Sequence, residues 1–225
     1  MKAAANCLGI EHVWLGFEDS GFPDLNAASP QKLPKGCFAD LPLKEPVAKL
    51  VTQIRRFRPQ VLTCYDENGG YPHPDHIRAH QTALASVAAA ADPEFSPADG
   101  EPWKISKVYY DVTFSIPRMT ALDGAMRACG LESNLIDWRK HEKLQRSKVS
   151  HAKINVADFF PQRDSALRAH QTQIDPDGFF FSVPRSIEAA VWPWEEFFLA
   201  QSAVGMPQYE EHDLFERIPG VAILP

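Results

Sequence analysis

The residues best equipped for chemistry stand together between Tyr65 and His80, in the run YDENGGYPHPDHIRAH. Imidazoles titrate near neutrality and bind metals through a ring nitrogen, so His73, His76 and His80 are candidates for proton transfer or ligation. Pro74 suits the first helical position, which predicts His73 just before a helix and places His76 and His80 on one face of it. Two histidines so spaced can share a metal, but catalytic zinc takes about three protein donors, so other ligands must come from elsewhere. Asp75 falls in the first turn, where the helix dipole alone favours a carboxylate; it can also set the tautomer of His73 and raise its basicity. His73 can donate a proton or polarise an oxyanion. Tyr71 can hydrogen-bond a tetrahedral intermediate or merely close the loop. Asp66, Glu67 and Asn68 can bind polar substrate groups or cap the turn by accepting backbone N–H bonds. Gly69 and Gly70 permit a turn, or a close approach of substrate, that side chains would block. His80 reads equally as a packing residue or a functional one.

A loop of this kind needs a strand to end beneath it and a helix to begin at it. QVLTCY is a nearly continuous apolar run, which predicts a short strand covered on both faces. Before it, Val47, Leu50, Val51, Ile54 and Phe57 recur at helical steps; Pro46 fits the first turn, and Arg58 before Pro59 ends the helix. The order helix, strand, histidine loop is that of an open α/β sheet, which places ligands at the carboxyl ends of its strands. After His80, TALASVAAAA continues a helix, SKVYYDVTFS is strand-like, TALDGAMRAC is a helix ended near Gly130, AKINV alternates as a strand, and Asp158 to Gln173 is a further helix. The stretch VWPWEEFFLAQSAV reads as an aromatic-rich cap, and Glu18 to Leu43 as a long loop of the sort that shapes a cleft. The alternation predicts a single α/β domain over residues 1–225, a sandwich with a mixed sheet. At the front, Lys2 to Leu8 reads as a helix stopped by Gly9, followed by IEHVWLGF as a strand. A helix feeding a buried strand is normally a βαβ crossover, so the chain reads as lacking its first βα unit.

Composition sets the outer bounds. The chain has 225 residues, 44% hydrophobic and 23% charged, with a formal net charge of −6, which is ordinary for a globular protein. No lysine or arginine stripe is available to neutralise phosphates, so nucleic acid is excluded as a partner; WRKHEKLQRSK reads as a solvated helix or loop. No signal peptide and no membrane span is legible. Cys7, Cys37, Cys64 and Cys129 lie far apart, which points to a reducing compartment and a cytoplasmic protein.

Taken with EHVWLGFEDSG, RDSALRAHQTQIDP and GFFF, the histidine run resembles the zinc-dependent LmbE-like (PIG-L) N-deacetylase superfamily, which includes N-acetylglucosaminyl-phosphatidylinositol deacetylases. Within it the chain is most similar to the mycothiol S-conjugate amidases, and the likeness runs over nearly the whole sequence. The resemblance implies a Rossmann-like three-layer sandwich with a mostly parallel sheet, holding a single zinc. It implies a small-molecule substrate, a thiol–sugar conjugate. It implies hydrolysis of the amide joining N-acetylcysteine to glucosaminyl-inositol, releasing a mercapturic acid in thiol-dependent detoxification. Carried onto this chain, it makes His76 a zinc ligand, His73 the acid or oxyanion stabiliser, Asp75 its orienting carboxylate and Tyr71 the mobile active-site tyrosine. The polar residues Asp66, Glu67 and Asn68 would meet sugar or inositol hydroxyls. Phe179, Phe180, Phe181, Trp192 and Trp194 would line a pocket for the thiol substituent or simply form core. The family's His-Pro-Asp-Asp-Glu motif does not occur here. His76 is then alone among the expected zinc ligands and the general-base aspartate is missing, so weak or absent zinc binding is expected, with self-association through an exposed sheet edge. Two other readings stand beside the amidase: a non-catalytic binding protein unable to hold zinc, and an N-acetylglucosaminyl-inositol deacetylase.

Overall fold

The computed structural model describes residues 1–22, 32–96, 100–136 and 149–222. The basic run at 138–148 and the middle of the long loop after Phe22 lie outside them. Among the described residues six α-helices and four strands are seen: α1 (Lys2–Leu8), α2 (Lys44–Phe57), β1 (Val61–Cys64), α3 (Pro74–Ala91), β2 (Lys107–Asp111), α4 (Ile116–Ala128), β3 (Ala152–Asn155), α5 (Phe160–Arg168), α6 (Arg185–Val191) and β4 (Trp194–Ser202). Most boundaries follow local chemistry. Gly9 closes α1 at φ 66°, a left-handed conformation that costs glycine nothing. Arg58 closes α2 in the same region, at φ 57°, immediately before the proline that forbids continuation.

The four-stranded sheet has the order β1-β2-β4-β3. β1 runs parallel to β2, and β2 runs antiparallel to β4, with a register shift between Val108 and Tyr109. The Phe197 carbonyl accepts from His151 N–H and the Pro193 carbonyl from Val156 N–H, so partner numbers fall as the chain rises and β3 and β4 are antiparallel too. The sheet is therefore mixed and mostly antiparallel. This corrects the mostly parallel, Rossmann-like sheet that the resemblance implied. The cause is β4, which the sequence presents as a cap: its Glu195–Glu196 pair and adjacent aromatics hide any clean alternation, yet nine residues of it enter the sheet. A second correction concerns IEHVWLGF, which forms no strand; residues 10–20 carry no regular structure, and Ile10, Val13 and Trp14 are exposed. Apolar, β-branched composition is not enough where no partner ladder is present. β1 is also only partly buried, as befits its place at the sheet's edge.

The chain divides into two compact units. One comprises Met1–Trp14, Phe114–Lys148 and Ile154–Glu195; the other comprises Leu15–Thr113, Val149–Lys153 and Glu196–Pro225. In the second unit the apolar stripe of α2 supplies Val47, Val51 and Ile54 to a core completed by Ala90, Ile105 and Val108. In the same unit Lys107, Tyr109 and Glu211 are fully buried. Glu211 accepts from Lys107 at 2.7 Å, from the Tyr109 hydroxyl at 2.5 Å and from Arg217 at 2.9 Å, pinning the carboxyl-terminal segment to β2.

In the first unit α1 packs on α5, and Leu122, Met126, Leu135 and Val183 form a core against which Phe179 and Trp192 pack. Glu188, 3% exposed, receives Arg118, Arg163 and Arg185 at 3.0, 2.7 and 2.7 Å. Burial alone would raise its pKa. The Arg163 hydrogen bond and the charges of Arg163, Arg185 and Arg118 outweigh that and hold it below the ordinary glutamate value.

Candidate functional site

The site lies within the second unit, where the turn after β1 meets the first turn of α3. Asp66 builds that turn. Its Oδ1 accepts from Asn68 N–H and Gly70 N–H, each at 3.0 Å, and its carbonyl accepts from Gly69 N–H at 2.9 Å. Gly69 and Gly70 both lie at φ 73°. A Cβ on Gly69 would stand 2.7 Å from the Cβ of His76, 2.9 Å from the Tyr71 carbonyl oxygen and 3.0 Å from the backbone nitrogen of Ile77. Only glycine lets the turn fold back so closely onto the helix.

His73 is the N-cap residue of α3, in extended conformation, with Pro74 opening the helix. Its Nδ1 accepts from the Asp75 backbone N–H at 3.1 Å, so in the neutral ring the proton sits on Nε2, a hydrogen-bond donor. His76 has the opposite arrangement. Its Nδ1 lies 2.9 Å from the Gly69 carbonyl oxygen, which can only accept; Nδ1 therefore carries the proton and Nε2 keeps a free lone pair. Burial, with the neighbouring His73 adding to it and the Gly69 bond and Asp75 opposing, depresses the His76 pKa and favours this neutral ring. The two imidazole centroids are 5.1 Å apart. A donor nitrogen and an acceptor nitrogen thus stand side by side at a helix N-terminus.

The other residues named from sequence divide. Tyr71 packs edge-on to His76 at 4.7 Å. Its phenol pKa is raised by burial and by the charge of Asp19, so it remains a donor. The Asp75 carboxylate does not bond the His73 ring; its Oδ2 accepts from Ser20 N–H at 2.9 Å, and its buried Oδ1 has no hydrogen-bond partner among the described residues. Asp66 is occupied in shaping the turn, while Asn68 is exposed. His80, 8% exposed, holds the Tyr65 carbonyl through Nδ1 at 3.0 Å and meets Tyr110 edge-on at 5.3 Å.

Sequence reasoning missed Tyr65, whose ring lies flat on His76 with centroids 4.2 Å and planes 7° apart. Phe22, 6.4 Å from His73, and Ser20 were also unmarked. No spacing signal announces them, because the contacts depend on how the turn folds back. Cys64 ends β1 nearby; burial, then Asp111 and Asp66, push its thiol pKa up to about 12, which keeps it protonated and unreactive.

A resident zinc would need several of these donors to converge on one point. Among the described residues no three His, Cys, Asp or Glu side chains converge as a metal site. His76 Nε2 is a suitable lone donor, but zinc sites draw on about three or four protein ligands. The donor set does not fit the ion.

The sequence has recognisable relatives. The family described as PIG-L, GlcNAc-PI de-N-acetylase, matches residues 1–87. A mycothiol S-conjugate amidase of Streptomyces coelicolor is 46% identical over 224 residues, covering 97% of this chain and 75% of the relative. A 1D-myo-inositol 2-acetamido-2-deoxy-alpha-D-glucopyranoside deacetylase of Geodermatophilus obscurus is 35% identical over 230 residues, covering 98% and 76%. A crystal structure of a conserved protein from Thermus thermophilus covers 92% of this chain and 74% of its own at 20% identity and TM-score 0.49, a likeness too slight to carry weight. The chain belongs to the PIG-L family.

Proposed function

We propose that this member of the PIG-L family serves amide hydrolysis of a mycothiol S-conjugate. Water would be added across the C–N bond, the acyl carbon leaving as the carboxylic acid of an N-acetylcysteine S-conjugate and the nitrogen as the free amine of glucosaminyl-inositol. The observation that carries the proposal is the pair of Nδ1 contacts, from the Asp75 N–H to His73 and from His76 to the Gly69 carbonyl, which imply opposed tautomers. An amide presents an acceptor oxygen and a donor nitrogen, and the pair offers the complement to each. His73 Nε2–H would donate to the carbonyl oxygen and follow it as negative charge develops, which is where hydrogen-bond donation accelerates acyl transfer. Tyr71, kept protonated by burial and by Asp19, is a second donor at the same site. Glu67 and Asn68, on the turn, would meet hydroxyls of the sugar or inositol. The Streptomyces coelicolor amidase supports the conjugate over the simple N-acetyl sugar as substrate, since its identity to this chain exceeds that of the deacetylase.

A second reading rests on a specific observation. The described residues do not assemble a metal donor set, so the same site would bind the conjugate without cleaving it. One experiment separates the two. Purified protein is mixed with a mycothiol S-conjugate or with N-acetylglucosaminyl-inositol, with and without added zinc. Binding is followed by calorimetry and free amine by derivatisation. The amidase reading expects amine release from the conjugate in preference to the N-acetyl sugar. Conjugate bound but left intact under every condition assigns the chain to binding, and no binding of either compound overturns both readings.

A further inference from the structure

We propose that Tyr65 is a positioning residue, holding His76 in the orientation and tautomer that present its Nε2 lone pair to a ligand. Three contacts confine the His76 ring. Tyr65 covers one side in parallel stacking at 4.2 Å. Tyr71 abuts the ring edge-on at 4.7 Å. The Gly69 carbonyl holds Nδ1 at 2.9 Å. A half-turn of the imidazole about its bond to Cβ would put a carbon where Nδ1 sits, forfeiting that bond. Stacking opposes the intermediate orientations, because the ring would have to swing edge-first into the Tyr65 face.

Tyr65 is itself fixed from two directions. Its carbonyl is held by His80 at 3.0 Å, and a Cβ at Gly70 would lie 3.6 Å from its ring, so the turn packs on it at ordinary contact distance. His80 thereby acts at one remove, through Tyr65, which gives the third histidine of the run a role that its sequence position does not disclose. The phenol hydroxyl is not needed for any of this. The aromatic face is.

The inference rests on the His73 and His76 site described under the proposed function, yet its test requires neither substrate nor metal, so the two stand or fall separately. Long-range 1H–15N correlation on the full chain, at a pH above the histidine titration range, reads the tautomer of each imidazole; His76→Gln and His73→Gln assign the signals. The unmutated protein is expected to show His76 protonated on Nδ1, His73 protonated on Nε2, and nuclear Overhauser contacts between the Tyr65 ring and the His76 ring protons. Tyr65→Phe should preserve the His76 pattern. Tyr65→Leu, which keeps apolar bulk but removes the flat face, should lose the single Nδ1–H form and give averaged signals for His76, leaving His73 unchanged. His76 protonated on Nε2 in the unmutated chain, or absent Overhauser contacts, overturns the inference without any variant. So does a Tyr65→Leu protein that retains the single Nδ1–H form.

Discussion

At the scale of the residue, His73 does two jobs that substitution can separate. As N-cap it accepts the Asp75 N–H, and as a ring it offers Nε2–H. Asparagine caps well but has no counterpart to that donor, so His73→Asn should hold stability within about 0.5 kcal/mol while losing conjugate turnover or binding; His73→Ala should lose both, with about 1 kcal/mol of stability gone. Urea titrations beside the calorimetric assay check this, and equal destabilisation by both variants would contradict the capping role. The two glycines differ in the same testable way. Gly70→Ala meets only an ordinary contact with Tyr65 and should cost about 1–2 kcal/mol for its left-handed backbone. Gly69→Ala adds backbone clashes that cannot yield and should cost about 2–5 kcal/mol. Similar midpoints for the two would mean that the turn is looser than its geometry indicates. The cap, the turn and the shared face of His76 and His80 were legible because Pro74 fixes where the helix starts. The stacking of Tyr65 was not, because its ring precedes the glycine turn and reaches the helix only through a specific backbone fold.

At the scale of the element, α3 is held at both ends by different means. Its start is local chemistry, readable in PHPDH. Its end has no glycine and no basic residue in the last turn; the carbonyls there are taken by Arg55 of α2. The buried guanidinium donates to Ala89, Ala90, Asp92, Ser96 and Gly100 carbonyls at 3.3, 3.2, 2.6, 2.9 and 3.3 Å. Planar guanidinium geometry serves several acceptors at once, whereas an ammonium serves fewer from a single point. Arg55→Ala should therefore destabilise by about 2–3 kcal/mol, since five carbonyls in buried or partly buried bonds lose their donor at once, and Arg55→Lys should fall between. Chemical denaturation decides it: a variant with an unchanged midpoint would show that water replaces the guanidinium. Periodicity marked α2 as amphipathic but could not single out one arginine among Arg55, Arg56 and Arg58. Likewise β4 escaped the reading because its burial follows its neighbours in the sheet, not a period of two. Strand order, and with it the sheet's antiparallel majority, depends on partners far apart in the chain that no local pattern encodes.

At the scale of the whole molecule, each compact unit contains a buried carboxylate surrounded by cations, Glu188 in one and Glu211 in the other, and these set the response to acid. Burial would raise the Glu211 pKa, but the hydrogen bonds from Lys107, Tyr109 and Arg217 prevail and hold it below the ordinary glutamate value; Glu188 is lowered by its arginines in the same way. A depressed folded-state pKa means that the unfolded chain binds more protons in the acid range, so stability rises with pH there. Both contributions are fully present above the unfolded glutamate pKa and are lost as pH falls through the lower, folded values. Stability measured in urea should accordingly be flat from neutrality to mild acid and then decline. Glu211→Gln should lose about 3–5 kcal/mol at neutral pH, because Lys107 is left buried without its counter-charge, and its decline in acid should be shallower than that of the unmutated chain. The carboxylate is the titrating group, so removing it must remove its share of the pH dependence. Parallel acid profiles for the two proteins would show that Glu211 is not the group whose protonation loosens the carboxyl-terminal segment from β2.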